Sequence, residues 1–341
     1  MNIQYLGLDI GGAHVKAVGL NNEKKIVLVE YFKCYFWNKA KEFLNVVSQI
    51  NKYINKKTLI GITMTAELCD TFENRKQGFR ILSNYCKYLK NDFFFYSSGN
   101  RPFIKNAKYN DVISMNWHAI GRYVVNHVSN CIIVDFGSTT TDFICIKNDE
   151  IKNIHFDDFS RLNNSELLYS GLIRTPIFSV TNEVRIDDKV FVIIPEMFSN
   201  MADVYRINKT INLYHDIDDT TDLRSKSYQN SLCRVSRNFG IDYNKSMEKF
   251  IIEIAKNIAE KQLSIIEKFI SVIRKKYDLK SGHPIITSGV GKDVLIELLK
   301  PKNYKLLPLD YLIRSDSDKL KKEAAFHAPA FSIAYLLSTI K

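Results

Sequence analysis

The sequence is poor in the features that most readily assign a chain to a functional class. Its six cysteines, at positions 34, 69, 86, 131, 145 and 233, form no CxxC pair and no group with metal-ligand spacing. Neither a zinc ribbon nor a dithiol redox motif is therefore present. They are expected to be buried free thiols in a reducing cytoplasm, with Cys131 and Cys145 on strands. No apolar run approaches the length of a membrane span. No signal peptide is expected, because the N-terminus leads directly into a strand carrying Asp9. The chain is read as cytoplasmic and without a membrane partner. Basic and aromatic residues are not interleaved, which argues against nucleic acid although the net charge is +11. Lysine is simply abundant and scattered, and its surplus serves at most to attract an anionic substrate. No low-complexity linker breaks the chain.

What is present is a 341-residue chain, 45% apolar and 25% charged, long enough for about two domains with cores. The most informative stretch is IIVDFGSTTTD at residues 132–142. Ile132, Ile133 and Val134 are a β-branched run that reads as a buried strand. Asp135 ends it, and Gly137 permits a tight turn. Ser138, Thr139, Thr140 and Thr141 then bring hydroxyls and backbone N–H groups into one small volume. Asp142 closes the loop before a second strand. Such a hairpin suits an anion, with a metal near Asp135. The design recurs at residues 5–18: a strand, the turn Asp9-Ile10-Gly11-Gly12, and a strand through His14, Val15 and Lys16. A lone Asp-x-Gly is usually an ordinary β-turn. Two copies, each leading into small or hydroxyl residues and a second strand, point to phosphate.

The remainder alternates strands and helices. Residues 3–34 read as a three-strand meander, 39–54 as a helix, and 58–63 as a strand. Residues 64–70 follow at that strand's carboxyl end, where α/β proteins place ligands. Glu67 and Asp70 are candidates there for a metal or an ammonium group, or else acids at a helix start. Helices are expected over 74–90 and from Asn116. Trp117 and His118 either pack under the first domain or line a site. Strands are expected at 92–97, 151–156, 189–195, 284–287 and 306–309. Arg174 suits a phosphate-facing loop, because a guanidinium fork matches phosphate oxygens; a surface ion pair is its alternative. Asp203 and Arg206 stand one helical turn apart, as a structural pair or a substrate contact. DIDDTTDLR at 216–224 lacks the Gly and closing Glu of a calcium loop and reads as a polar lid or substrate loop. Further helices are expected over 231–242, 247–276, 293–299 and 324–340.

DIGG and DFGSTTTD resemble the two phosphate loops of the actin-like ATPase superfamily, and SGVG at 288–291 resembles its nucleoside-side motif. With MTAELCD, NWHA, YSGLIRTP and MADVYR added, nearly the whole chain resembles the hydantoinase/oxoprolinase-related proteins of tetrahydromethanopterin-linked one-carbon metabolism. The resemblance implies an α/β, two-lobed actin-like ATPase (ribonuclease H-like) fold with a central cleft. One lobe is expected from residues 1–128 and 322–341, the other from 129–321 with a substrate-side insert at about 150–240. The implied activity is a transferase step of methanofuran biosynthesis. It condenses 5-(aminomethyl)furan-3-ylmethyl diphosphate with γ-glutamyltyramine and releases diphosphate. Gly11, Gly12, Gly137, Ser138, Thr139, Thr140 and Thr141 are then expected on the diphosphate, with Lys16 and Arg174 stabilising its charge. Asp9 and Asp135 are expected to hold Mg2+. Asp142, Glu67 and His118 are alternatives for the base, and Gly289 and Gly291 either meet a purine or merely pack. ATP is not required on this reading. An ATP-dependent small-molecule kinase and a nucleotide-binding switch stay open on the same loops, as does a homo-oligomer.

Overall fold

The computed structural model describes residues 2–37, 40–99 and 101–340. The expected start of a helix at residue 39 lies outside the described residues. The chain forms two compact units: Met1–Ile133, Ile144–Asn164 and Leu307–Lys341 make the first, and Val134–Phe143 with Ser165–Leu306 the second. The expected divisions at residues 128 and 322 therefore move. Residues 144–164 belong to the first unit rather than to an insert of the second. Their packing gives the reason. Glycine 121 leaves room for Ile144 and Ile151, and a Cβ there would lie 3.2 and 2.7 Å from their side chains.

The first unit begins with β1 (Tyr5–Ile10), β2 (His14–Leu20), β3 (Ile26–Lys33), α1 (Phe43–Ile50), β4 (Leu59–Met64), α2 (Arg75–Cys86), β5 (Phe93–Tyr96), β6 (Phe103–Ile104), α3 (Tyr109–Val112) and α4 (Asn116–Val125). Its sheet runs β3-β2-β1-β4-β5-β6, with β1, β4 and β5 parallel and the outer pairings antiparallel. Leu6, Leu8 and Ile10 point into one core with Phe43 and Val47 of α1 and Phe79 and Leu82 of α2. The alternate residues face the C-terminal helix. Gly7 of β1 and Gly61 of β4 are paired in register, and a Cβ on either would strike that helix, 2.0 Å from the Ala330 carbonyl or 2.7 Å from Ile333. Glycine is required here for close approach, not for its dihedral freedom.

The chain continues through β7 (Asn130–Phe136), β8 (Thr141–Lys147), β9 (Glu150–Ile151), α5 (Asp158–Asn163), β10 (Leu167–Leu168), β11 (Glu183–Ile186), β12 (Lys189–Val192), α6 (Met201–Ile207), α7 (Tyr228–Arg237), α8 (Glu248–Lys276), β13 (Ile285–Ser288), α9 (Lys292–Leu299), β14 (Leu306–Pro308), α10 (Asp318–Phe326) and α11 (Ala328–Leu337). The second sheet is ordered β10-β8-β7-β13-β14, with β9 paired to β8. In place of the strand expected over 151–156, only the two residues of β9 pair, and α5 follows, capped by the Asp157 side chain on Ser160 N–H. The helix expected over 324–340 is two helices, because Pro329 at the first turn of α11 cannot extend α10. None of the six cysteines, all of them among the described residues, is in a disulfide, and four of them are buried. No helix among the described residues is long and apolar enough to cross a membrane.

Candidate functional site

In the second unit the turn between β7 and β8 is closed by Gly137 N–H donating to the Thr140 carbonyl at 2.9 Å. The carbonyls of Gly137 and Ser138 are occupied by the chain that follows β10. Leu172 N–H donates to the Gly137 carbonyl at 2.9 Å, and Ile173 and Arg174 N–H donate to the Ser138 carbonyl at 3.1 and 2.9 Å. Gly171 presses so closely on the loop that a Cβ would lie 2.4 Å from the Thr139 nitrogen. With these three carbonyls spent, the loop keeps its donors. The backbone N–H groups of Ser138, Thr139 and Thr140 donate to no group among the described residues, and these residues are partly exposed. Successive unspent N–H groups at a turn are an anion-binding feature. Thr141 is withdrawn from this cradle. It is fully buried and its hydroxyl donates to the Ser170 carbonyl at 2.7 Å. Arg174 is brought to the loop by its backbone, partly exposed.

Asp135, at the end of β7, is 7% exposed. Its Oδ1 accepts from the Ser288 hydroxyl at 2.7 Å. The SGVG turn is thus built onto the DFG segment. Gly289 has φ +81°, and a Cβ on it would lie 2.5 Å from the Phe136 carbonyl oxygen. Gly291 N–H donates to that oxygen at 2.8 Å, while the Phe136 ring covers Gly291. Gly289 and Gly291 therefore pack against the strand that carries Asp135. Asp142 lies buried in β8 opposite Leu167.

The first unit repeats the turn. Gly11 N–H donates to the His14 carbonyl at 2.9 Å, Phe36 N–H takes the Gly12 carbonyl and Cys34 N–H the Ala13 carbonyl. Gly12 and Ala13 N–H donate to nothing among the described residues. Asp9 is 1% exposed. Lys16, its cross-strand neighbour, pairs with Oδ2 at 2.9 Å, and Oδ1 is buried without a hydrogen-bond partner. Lys16 thus neutralises the aspartate beside it.

The three candidates for a base are all buried. Glu67 follows β4 in a short 3₁₀ turn, and neither carboxylate oxygen has a described donor in hydrogen-bond geometry. Burial pushes this carboxyl up to about 8, with Asp158 adding to the rise while backbone N–H groups and Arg75 oppose it. His118 has its Nδ1 2.8 Å from the Tyr96 hydroxyl. Burial, helped by Arg122, lowers its pKa to about 4. Trp117 beside it stacks under the Arg161 guanidinium at 4.3 Å. Two of the four carboxylates of DIDDTTDLR, Asp216 and Asp222, are held in ion pairs. Arg206 binds Asp203 and Asp216, and Arg234 binds Asp203 and Asp222, at 2.7–3.0 Å. Ser288, Ser170 and Gln262 were not legible as site-supporting residues. Ser288 and Ser170 lie within the SGVG and YSGLIRTP stretches, which mark their segments but not their partners, and Gln262 is signalled as a glutamine on the otherwise apolar face of α8.

Among the described residues no three His, Cys, Asp or Glu side chains form a metal cluster. Magnesium does not need one, since it takes one or two carboxylates together with water and phosphate oxygens. The orphaned Asp9 Oδ1 is a donor atom of the right hardness.

The chain is 29% identical over 342 residues to the (4-{4-[2-(gamma-L-glutamylamino)ethyl]phenoxymethyl}furan-2-yl)methanamine synthase of Methanocaldococcus jannaschii, covering 99% of this chain and 98% of that protein. A protein of the same name from Methanococcus vannielii is 30% identical over 212 residues, 61% of this chain and 90% of that protein. Among solved structures, a nucleotide-free acetone carboxylase superposes with a TM-score of 0.58 at 10% identity, over 98% of this chain and 70% of that one. The fold is that of the actin-like ATPases. The hydantoinase/oxoprolinase family model matches residues 59–305, and the chain belongs to that family.

Proposed function

We propose that this protein is a transferase of methanofuran biosynthesis, joining 5-(aminomethyl)furan-3-ylmethyl diphosphate to γ-glutamyltyramine and releasing diphosphate. The product named for the relatives contains an aryl–O–CH2–furan ether. Making such an ether requires a phenol oxygen to attack a methylene carbon that bears a leaving group. The phenol gives up its proton and its oxygen forms the new C–O bond. The old C–O bond breaks with its electron pair passing to diphosphate. The observation that carries the proposal is the row of undonated N–H groups at Ser138, Thr139 and Thr140. They are held in place before reaction, and the leaving diphosphate gains charge as the bond breaks. Fixed donors aimed at growing charge favour the transition state over the ground state.

Arg174 is assigned to the same charge. Gly11 and Gly12 offer the equivalent turn in the first unit. In each unit the hairpin aspartate, Asp9 or Asp135, is the group assigned to magnesium, chiefly through water. When bound, magnesium would add positive charge beside the phosphate oxygens. Asp142, Glu67 and His118 are the groups assigned to proton removal. Of Glu67 and His118, burial raises the proton affinity of the carboxyl to about 8 and lowers that of the imidazole to about 4, so Glu67 binds a proton the more tightly of the two.

Turnover of the two substrates with magnesium tests the proposal. Asp135→Asn is expected to abolish ether formation while its unfolding transition stays cooperative. Full activity in that variant removes the metal assignment.

A further inference from the structure

The face of α8 that packs inward is a run of isoleucines, alanines and leucine, interrupted by Gln262. Its side chain is completely buried. An amide in that position costs free energy unless every polar atom is bonded. Here every atom is used. The Gly171 carbonyl can only accept, so the amide nitrogen must face it, and Nε2 donates there at 2.9 Å. The same nitrogen donates to the Ser170 hydroxyl at 2.8 Å. The Oε1 is then left to accept from the Tyr205 hydroxyl of α6 at 2.6 Å, which fixes the direction of that bond as well.

The residues that Gln262 holds are those that shape the anion cradle. The Ser170 carbonyl takes the Thr141 hydroxyl. Gly171 N–H donates to the Thr175 hydroxyl at 2.7 Å, and Gly171 itself lies against Ser138 and Thr139. The next three N–H groups occupy the loop carbonyls. One amide on a long helix thus stands two hydrogen-bonding steps from the undonated N–H row. A leucine would fill the core equally well and hold nothing.

We propose that Gln262, braced by Tyr205, is a positioning residue for the anion cradle. It fixes Ser170 and Gly171 so that the carbonyls of residues 137 and 138 are turned away and the N–H groups of residues 138–140 are presented to an oxyanion. It touches no substrate. The inference rests on the anion-binding reading of that loop.

The test separates positioning from stability. Gln262→Leu strands the Tyr205 hydroxyl and the Gly171 carbonyl, so the melting temperature falls. The double variant Gln262→Leu/Tyr205→Phe removes one of those stranded groups, so part of the loss returns. Binding of inorganic pyrophosphate with magnesium is measured by calorimetry well below each melting temperature. Affinity about tenfold weaker than wild type in both variants, despite the partial return of stability, is the expected result. Affinity that equals wild type in the folded variants, or that recovers in step with stability, overturns the inference. If Gln262→Leu alone does not fold, the double variant and Tyr205→Phe decide by the same measure, with Tyr205→Phe expected to bind about threefold more weakly. A wild-type protein that binds no pyrophosphate instead removes the cradle reading, and the inference with it.

Discussion

Glu67 carries its proton to a higher pH in the folded chain than in the unfolded one, because burial disfavours its charge. Between its ordinary value of 4.5 and about 8, the folded state holds a proton that the unfolded state has released. The stability that the neutral carboxyl permits is complete below that window and is lost as pH rises through about 8. Glu67→Gln stays neutral throughout. Its stability relative to wild type should therefore grow by up to about 1.4 kcal/mol per pH unit across the window. Urea unfolding from pH 5 to 8.5 measures this, and parallel curves would refute it. His118 works in the other direction. Its pKa is lowered to about 4, so stability is lost as pH falls from 6.5 through about 4. Arg174→Ala should raise KM for the diphosphate substrate roughly tenfold or more, as loss of a charge-assisted contact does; unchanged kinetics would make the side chain structural. At this scale the sequence displayed the hairpin residues plainly, because Asp-x-Gly between β-branched runs is a local pattern. It marked Ser288 through SGVG but not its partner, and it hid Gln262; both roles depend on partners far away in the chain.

The second-unit hairpin is an element held from behind. Gly171→Ala would force its Cβ to within 2.4 Å of the Thr139 nitrogen, so either the loop or the 170–174 segment must move. Loss of pyrophosphate binding with the rest of the second unit intact is the expected outcome, read by calorimetry and amide exchange. The helical part of the same unit depends on Asp203, which takes both Arg206 and Arg234 in full burial. Asp203→Ala leaves two buried guanidiniums short of a counter-charge and should cost about 3–5 kcal/mol in chemical denaturation. Spacing alone suggested the Asp203–Arg206 pair. It could not show that Asp216 and Asp222 close the network, and so DIDDTTDLR read only as a polar lid or substrate loop. The paired hairpins and the long α8 were legible because their periods are local. The break at Pro329 is also a local signal, since proline cannot extend α10, and the reading of one helix over 324–340 passes over it.

For the whole molecule, a net charge of +11 should raise the encounter rate with a diphosphate substrate. That gain is screened by salt, so kcat/KM should fall as ionic strength rises from about 0.01 to 0.15 M. A salt-independent value would mean that the scattered lysines contribute no steering. The central claim is that an actin-like ATPase fold here makes an ether, with diphosphate leaving from carbon. The most direct measurement mixes the protein with magnesium, furanmethyl diphosphate and γ-glutamyltyramine, with no nucleotide present, and counts products by mass spectrometry and phosphorus NMR. One diphosphate for each ether formed is the predicted result. Product that appears only when ATP is added, with its terminal phosphate transferred or hydrolysed, would contradict the account.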